Sequence, residues 1–155
     1  MAHILYIEDD LDSIILVKKM LNSRGYKLMW AFNGQEGLDL AMAHPGLILL
    51  DVRLPDIEGY AVARRLRSSG NSHLAYVPII ALTAHNRAGE VDRALDAGCD
   101  VYMTKPIDFR ELSARVEAFM HLHHTRRLQE VTVNPESNSR GYEYVSLDLL
   151  NGKSN

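Results

Sequence analysis

A rhythm limits this chain more than any single residue: short apolar runs, each followed by a stretch of helical period, recur five times. The runs are HILYIE (3–8), KLMWAF (27–32), LILL (47–50), VPIIAL (77–82) and DVYMT (100–104). They are rich in β-branched and aromatic residues, and their length is that of buried strands. EDDLD follows the first run, so Asp10 or Asp12 can cap a helix that carries Ile14, Val17 and Leu21 on one stripe and stops near Gly25. Residues 33–43, 58–68 and 88–98 read as three more helices, the middle one with Tyr60, Val62, Ala63 and Leu66 near helical spacing. Residues 69–73 read as a polar loop. A last helix starts near Asp108, with Phe109, Leu112, Val116 and either Phe119 or Met120 as its buried stripe. Parallel strands need a long connection between them, so this alternation predicts an α/β fold: a doubly wound five-stranded parallel sheet with helices on both faces.

Ligands of such sheets bind beyond the carboxyl ends of the strands. The residues found there are Glu8, Asp9 and Asp10 after the first strand, Asp51 after the third, Thr83 after the fourth, and Lys105-Pro106 after the fifth. Each has an ordinary reading as a helix cap, a strand-ending turn, a local backbone bond or a solvated charge. Together they describe a site. Two carboxylates about 4 Å apart repel by about 4 kcal/mol at an effective dielectric of 20. Glu8, Asp9 and Asp51 therefore call for a cation among them, and a hard Mg²⁺ that accepts carboxylates and phosphate oxygens suits the set. A carboxylate can accept a phosphoryl group covalently. Lys105 supplies a point charge and the Thr83 hydroxyl a hydrogen bond for phosphoryl oxygens.

The stretches ILYIEDD, LILLDVRLPDIEG, PIIALTA and GCDVYMTKP, in this order and at domain-scale spacing, resemble the receiver domain of two-component response regulators. The resemblance covers roughly residues 2–122 and implies a flavodoxin-like sheet of strand order 2-1-3-4-5. It implies that Asp51 is the phospho-acceptor, served by a histidine kinase or histidine phosphotransfer protein. It implies that Glu8 and Asp9 form the acidic pair for Mg²⁺, with Asp9 and Asp51 as direct ligands, Glu8 acting through a water, and Arg53 giving its backbone carbonyl. Thr83 and Lys105 would hold the phosphoryl oxygens, the Lys105–Pro106 bond would be cis, and Tyr102 would be the aromatic switch that follows Thr83. The output would be a changed partner affinity on the face made by helix 88–98, the fifth strand and the last helix. No catalytic turnover is required beyond slow self-dephosphorylation, so the chain is expected not to be an enzyme. Glu8 stands where aspartate is more usual, and Arg53 and His85 flank the path of an attacking water, where they would tune the phosphate lifetime.

Other readings are weaker. A phosphatase of the haloacid-dehalogenase type carries a second acid two residues after its nucleophile, where this chain has Arg53. A pseudo-receiver that binds partners without phosphate has little use for intact Asp51, Thr83 and Lys105. A dinucleotide site needs a glycine-rich first turn, and IEDDLDS stands there instead.

The net charge of −3 gives no general attraction to nucleic acid or an anionic membrane. The lone Cys99 cannot form an internal disulfide, and no leader or membrane-spanning apolar run is evident, so a cytoplasmic protein is expected. Residues 1–122 read as the receiver and 123–155 as a C-terminal extension too short for a DNA-binding domain. In that extension HLHHTRR (121–127) reads as a basic helix end, and a metal site on His121 and His124 would have a poor ligand set. The stretches VTV (131–133) and YEYVSL (142–147) permit a small hairpin. Tyr142, Tyr144, Val145, Leu147 and Leu149 are expected to dock on the receiver or on a second copy, as a homodimer.

Overall fold

In the computed structural model the five apolar runs form β1 (His3–Ile7), β2 (Lys27–Ala31), β3 (Leu47–Asp51), β4 (Ile79–Thr83) and β5 (Val101–Thr104). They make one parallel sheet of order β2-β1-β3-β4-β5, the doubly wound arrangement expected. The structure describes residues 3–85 and 87–133, with 123–133 as backbone alone. The residues expected to dock, Tyr142 to Leu149, lie outside the described residues, as does the side chain of His124.

The sheet is apolar on both faces because both are covered. Leu5, Ile7, Ile48, Leu50, Ile79 and Ala81 enter one core cluster with Tyr60, Val62, Ala63, Leu66 and Ala94 of the helices packed there. The alternate residues Ile4, Tyr6, Leu47, Leu49, Ile80 and Leu82 are as completely buried and point the other way, as the period of a strand requires. Among the described residues the helices are α1 (Leu11–Ser23), α2 (Gly34–Ala41), α3 (Gly59–Arg67), α4 (Ser72–Tyr76), α5 (Glu90–Asp96) and α6 (Phe109–Val133). Asp10 caps α1 by accepting from the Ser13 amide at 3.1 Å, and Ile14, Val17 and Leu21 are its buried stripe. Asn33 does the same for α2.

Three local expectations are corrected. The loop foreseen over 69–73 runs into the short helix α4, because Asn71 accepts from the amides of His73 at 2.9 Å and Leu74 at 3.2 Å and so caps a single turn and a half. Phe109 is 39% exposed, while Leu112, Val116 and Met120 are buried and Phe119 is half-buried. The first turn of a helix lies at its end, and Asp108 spends its side chain there capping the amides of Arg110 and Glu111. VTV, foreseen as a hairpin flank, is the end of α6. Prolonging an existing helix adds one bond per residue fixed, whereas a new hairpin has to be nucleated.

The chain divides into two compact units, residues 1–114 and 115–155. The first contains the whole sheet, α1–α5 and the start of α6; the described part of the second is the helix from Arg115 onward. No helix among the described residues is long and apolar enough to cross a membrane.

Candidate functional site

The central strand β3 carries four aliphatic residues with no exposed surface, and Asp51 is its last residue, paired in register with Leu82 of β4. Thr83 is likewise the last residue of β4, opposite Thr104 of β5. Glu8 follows β1 directly, its amide bonded to the Ala31 carbonyl at 2.9 Å. The shared direction of the strands thus brings Glu8, Asp51, Thr83 and Lys105 to one rim. Glu8, Asp51 and Thr83 are 1%, 5% and 2% exposed, so these polar groups are held inside the edge of the core.

One carboxylate oxygen from each of Glu8, Asp9 and Asp51 lies within 4.8 Å of the other two. Lys105 Nζ stands among them, 2.7 Å from Glu8 Oε2 and 3.4 Å from Asp51 Oδ2. Three carboxylates against one ammonium leave two negative charges uncompensated, and all the donors are hard oxygens. That donor set fits a divalent cation such as Mg²⁺. Burial raises the Glu8 carboxyl above its ordinary range and the Asp51 charge adds to this, while the bond from Lys105 opposes it. Burial would lower Lys105, but the Glu8 hydrogen bond and the two nearby carboxylates outweigh it and hold the ammonium above its ordinary value. Lys105 is thereby held in its charged form, donating to Glu8 Oε2 at 2.7 Å.

Each remaining expected residue has a definite place. Arg53 is exposed, and its backbone amide donates to Asp51 Oδ1 at 3.1 Å. The Thr83 hydroxyl accepts from the His85 amide at 3.1 Å, and the Tyr102 hydroxyl donates to the His85 carbonyl at 2.6 Å. Thr83 and Tyr102 thus grip the same residue from its two backbone groups. His85 is half-buried and its Nε2 has no hydrogen-bond partner among the described residues. The Lys105 amide donates to the Thr83 carbonyl at 2.7 Å, and the Lys105–Pro106 peptide is cis. Asp10, in the acidic run, is withdrawn from the cluster into its capping role, and the Ser13 hydroxyl and amide lower its pKa.

Gly59 supports the rim from below. A Cβ there would collide with the Asp51 carbonyl oxygen and stand 2.7 Å from Val52 Cα, so α3 starts in contact with the strand end that bears Asp51. Two polar groups were missed in the sequence. Tyr6 is fully buried and donates to Glu8 Oε2 at 3.2 Å; its place two residues before Glu8 in a buried strand was the available signal. Glu90 is 8% exposed, takes the Tyr60 hydroxyl at 2.7 Å and lies 3.6 Å from Arg93, which also bonds Glu58 at 2.7 Å. This polar link joins α3 to α5.

Residues 4–117 match the family described as response regulator receiver domain. The polar-differentiation response regulator DivK of Brucella anthropi is 31% identical over 118 residues, which are 76% of this chain and 94% of that protein. The DNA-binding dual master transcriptional regulator RpaA of a Synechocystis species is 36% identical over 91% of this chain, which spans only 57% of that protein's length. Among solved structures, the receiver domain of the sensor histidine kinase PA1611 from Pseudomonas aeruginosa superposes with a TM-score of 0.70 and is 31% identical. That likeness covers 77% of this chain and 98% of that one, and the PA1611 structure has a magnesium ion coordinated in its active site cleft. With the sheet order, the acidic rim and these likenesses in agreement, the chain belongs to the response regulator receiver domain family.

Proposed function

We propose that the chain is a phosphorylation-dependent signalling switch, in which Asp51 takes a phosphoryl group from the phosphohistidine of a histidine kinase or histidine phosphotransfer protein. The observation that carries this is the buried Asp51 carboxylate, fixed through one oxygen by the Arg53 amide and approached by Lys105 at the other. In the transfer a carboxylate oxygen of Asp51 forms the new bond to phosphorus, the nitrogen–phosphorus bond breaks, and its electron pair returns to the imidazole of the donor. Glu8, Asp9, Asp51 and the Arg53 carbonyl would hold Mg²⁺. Held there, the ion would supply positive charge to offset that on the transferring group. Lys105 and Thr83 bind the phosphoryl oxygens, Lys105 as a point charge already present in the site and Thr83 through the O–H it has not used.

The phosphoryl group adds up to about two negative charges and three acceptors. Thr83 turns toward them and loosens its bond to the His85 amide. Tyr102 holds the same residue by its carbonyl, so the two side chains move as a linked switch. A shift from 1:99 to 99:1 between the two states needs a difference of about 5.5 kcal/mol, within reach of a few charge-assisted bonds. The surface altered is that of α5, β5 and the first turns of α6, where a downstream protein or a second copy would read the state. Arg53 and His85 tune phosphate lifetime. Residues 1–122 act as the receiver and 123–155 as an extension, in the cytoplasm, with no direct role for nucleic acid and no membrane insertion.

The test is incubation with a small phosphodonor and Mg²⁺, followed by intact-mass detection, with Asp51→Asn as the control. Wild type is labelled and the variant is not; equal labelling of both would overturn the reading.

A further inference from the structure

Tyr6 is the buried polar group at this rim that the switch leaves unused. It lies two residues before Glu8, so the two side chains leave the chain on the same side. Its neighbours Ile4, Leu5 and Ile7 are aliphatic and, like Tyr6 itself, fully buried, so packing alone gives no reason for a hydroxyl here. A buried tyrosine hydroxyl needs a partner, and this one finds Glu8 Oε2 at 3.2 Å. The same oxygen accepts Lys105 Nζ at 2.7 Å, and Oε1 accepts the Asp10 amide at 3.2 Å. Burial and the adjacent Glu8 carboxylate push Tyr6 far above its ordinary pKa, so the hydroxyl stays a donor.

A carboxylate has about four acceptor sites, so three donors leave one on Glu8 for a cation or a water bound to it. Glutamate also has one more rotatable bond than an aspartate, and that freedom has to be removed if the remaining site is to face Asp9 and Asp51. The geometry points to Tyr6 as a positioning residue for the cation site: its hydroxyl fixes the Glu8 side chain so that its remaining acceptor site can serve a cation beside Asp9 and Asp51. This rests on the cation reading of the preceding section and adds a supporting partner to it. Without the hydroxyl, Oε2 keeps only Lys105, which lies 3.4 Å from Asp51 as well. Oε1 stays on the Asp10 amide, but Oε2 can then follow the ammonium toward Asp51, where the ammonium competes with a cation.

Outer partners of metal-ligating side chains typically contribute tenfold or more to metal affinity. The test is a double-mutant cycle on the full chain, with Mg²⁺ affinity read by isothermal titration calorimetry for wild type, Y6F, E8D and Y6F/E8D. Y6F weakens Mg²⁺ binding by about tenfold, at the low end because the bond is long. In E8D the carboxylate retracts by one methylene from the hydroxyl, so Y6F/E8D binds as E8D does. An unchanged Kd in Y6F overturns the proposal, and so does an equal fold-loss in both backgrounds, which would mark a packing effect. Circular dichroism checks folding; a Y6F chain that fails to fold also overturns it, since a bond used for positioning leaves the phenylalanine core intact. Wild type that binds no Mg²⁺ removes the cation reading itself, and the proposal with it, an outcome distinct from a silent Y6F.

Discussion

Replacing Lys105 with methionine keeps the apolar stem and removes the charge, which isolates what the ammonium does for the folded state. At 2.7 Å from Glu8 and 3.4 Å from Asp51, its gross attractions are about 6 and about 5 kcal/mol at an effective dielectric of 20. Desolvation offsets much of this, and removing one partner of a buried pair typically costs about 3–5 kcal/mol. The variant has an escape, however. Glu8 can take up a proton, and with an unfolded pKa of about 4.3 that costs about 3.7 kcal/mol at pH 7 and only about 1 kcal/mol at pH 5. The destabilisation is therefore about 2–4 kcal/mol at pH 7 and falls toward about 1 kcal/mol at pH 5. The sign follows from proton binding. Without the ammonium, the folded pKa of Glu8 rises further above the unfolded one, the folded state binds more protons, and stability drops as pH rises between them. In wild type the raised Lys105 pKa keeps the ammonium's contribution in place well above neutrality. Urea unfolding at pH 5 and pH 7 without Mg²⁺ measures both values. Stability equal to wild type at both pH values, or a deficit that shrinks from pH 5 to pH 7, refutes the reasoning.

Arg67 donates from Nε to the Gly98 carbonyl at 2.9 Å, from one terminal nitrogen to the Leu74 and Val77 carbonyls at 2.9 and 2.7 Å, and pairs with Asp100 at 3.0 Å. Arg67→Met strands these carbonyls and should lower the urea-unfolding free energy by about 2–3 kcal/mol. Gly59→Ala forces a Cβ onto the Asp51 and Val52 backbone, so it should cost about 1–3 kcal/mol and slow phosphodonor labelling even where the chain is folded. Arg53→Ala and His85→Ala, at the rim but outside the acidic cluster, should each change the rate of phosphate loss from Asp51; unchanged rates in both remove their tuning role.

What could be read from the residues depended on how many of them shared a signal. The sheet was legible because each strand is a run of several buried residues and each long connection a full helical stripe, as Ile14, Val17 and Leu21 show. The short helix α4 has no period to read; only Asn71, a capping residue ahead of five ordinary ones, announced it. Phe109 was misplaced for a similar reason, since a stripe read from spacing does not say where the covering surface stops. The site's membership followed from topology, which brings the ends of parallel strands to one rim. Its internal preferences did not. Lys105 lies closer to Glu8 than to Asp51, and the same Glu8 oxygen takes the Tyr6 hydroxyl; no spacing in the sequence announces either.

Asp51 and Thr83 also show why the ordinary and reactive readings of a strand-end residue are poorly posed as alternatives. Asp51 Oδ1 takes the Arg53 amide, which is the bond of a strand-ending turn, and Thr83 Oγ1 takes the His85 amide, a local backbone bond of the same kind. Each bond uses one acceptor site and fixes the side chain. For Asp51 it leaves the second oxygen toward Lys105, and for Thr83 it leaves the hydroxyl proton unspent. A reactive carboxylate must be held within a fraction of an ångström to meet its partner, and a local turn bond is an inexpensive way to hold it. On the proposed reading of Asp51 as phospho-acceptor, the turn bond is part of how the rim reacts, and a substitution that kept the carboxylate but displaced the Arg53 amide should slow phosphodonor labelling.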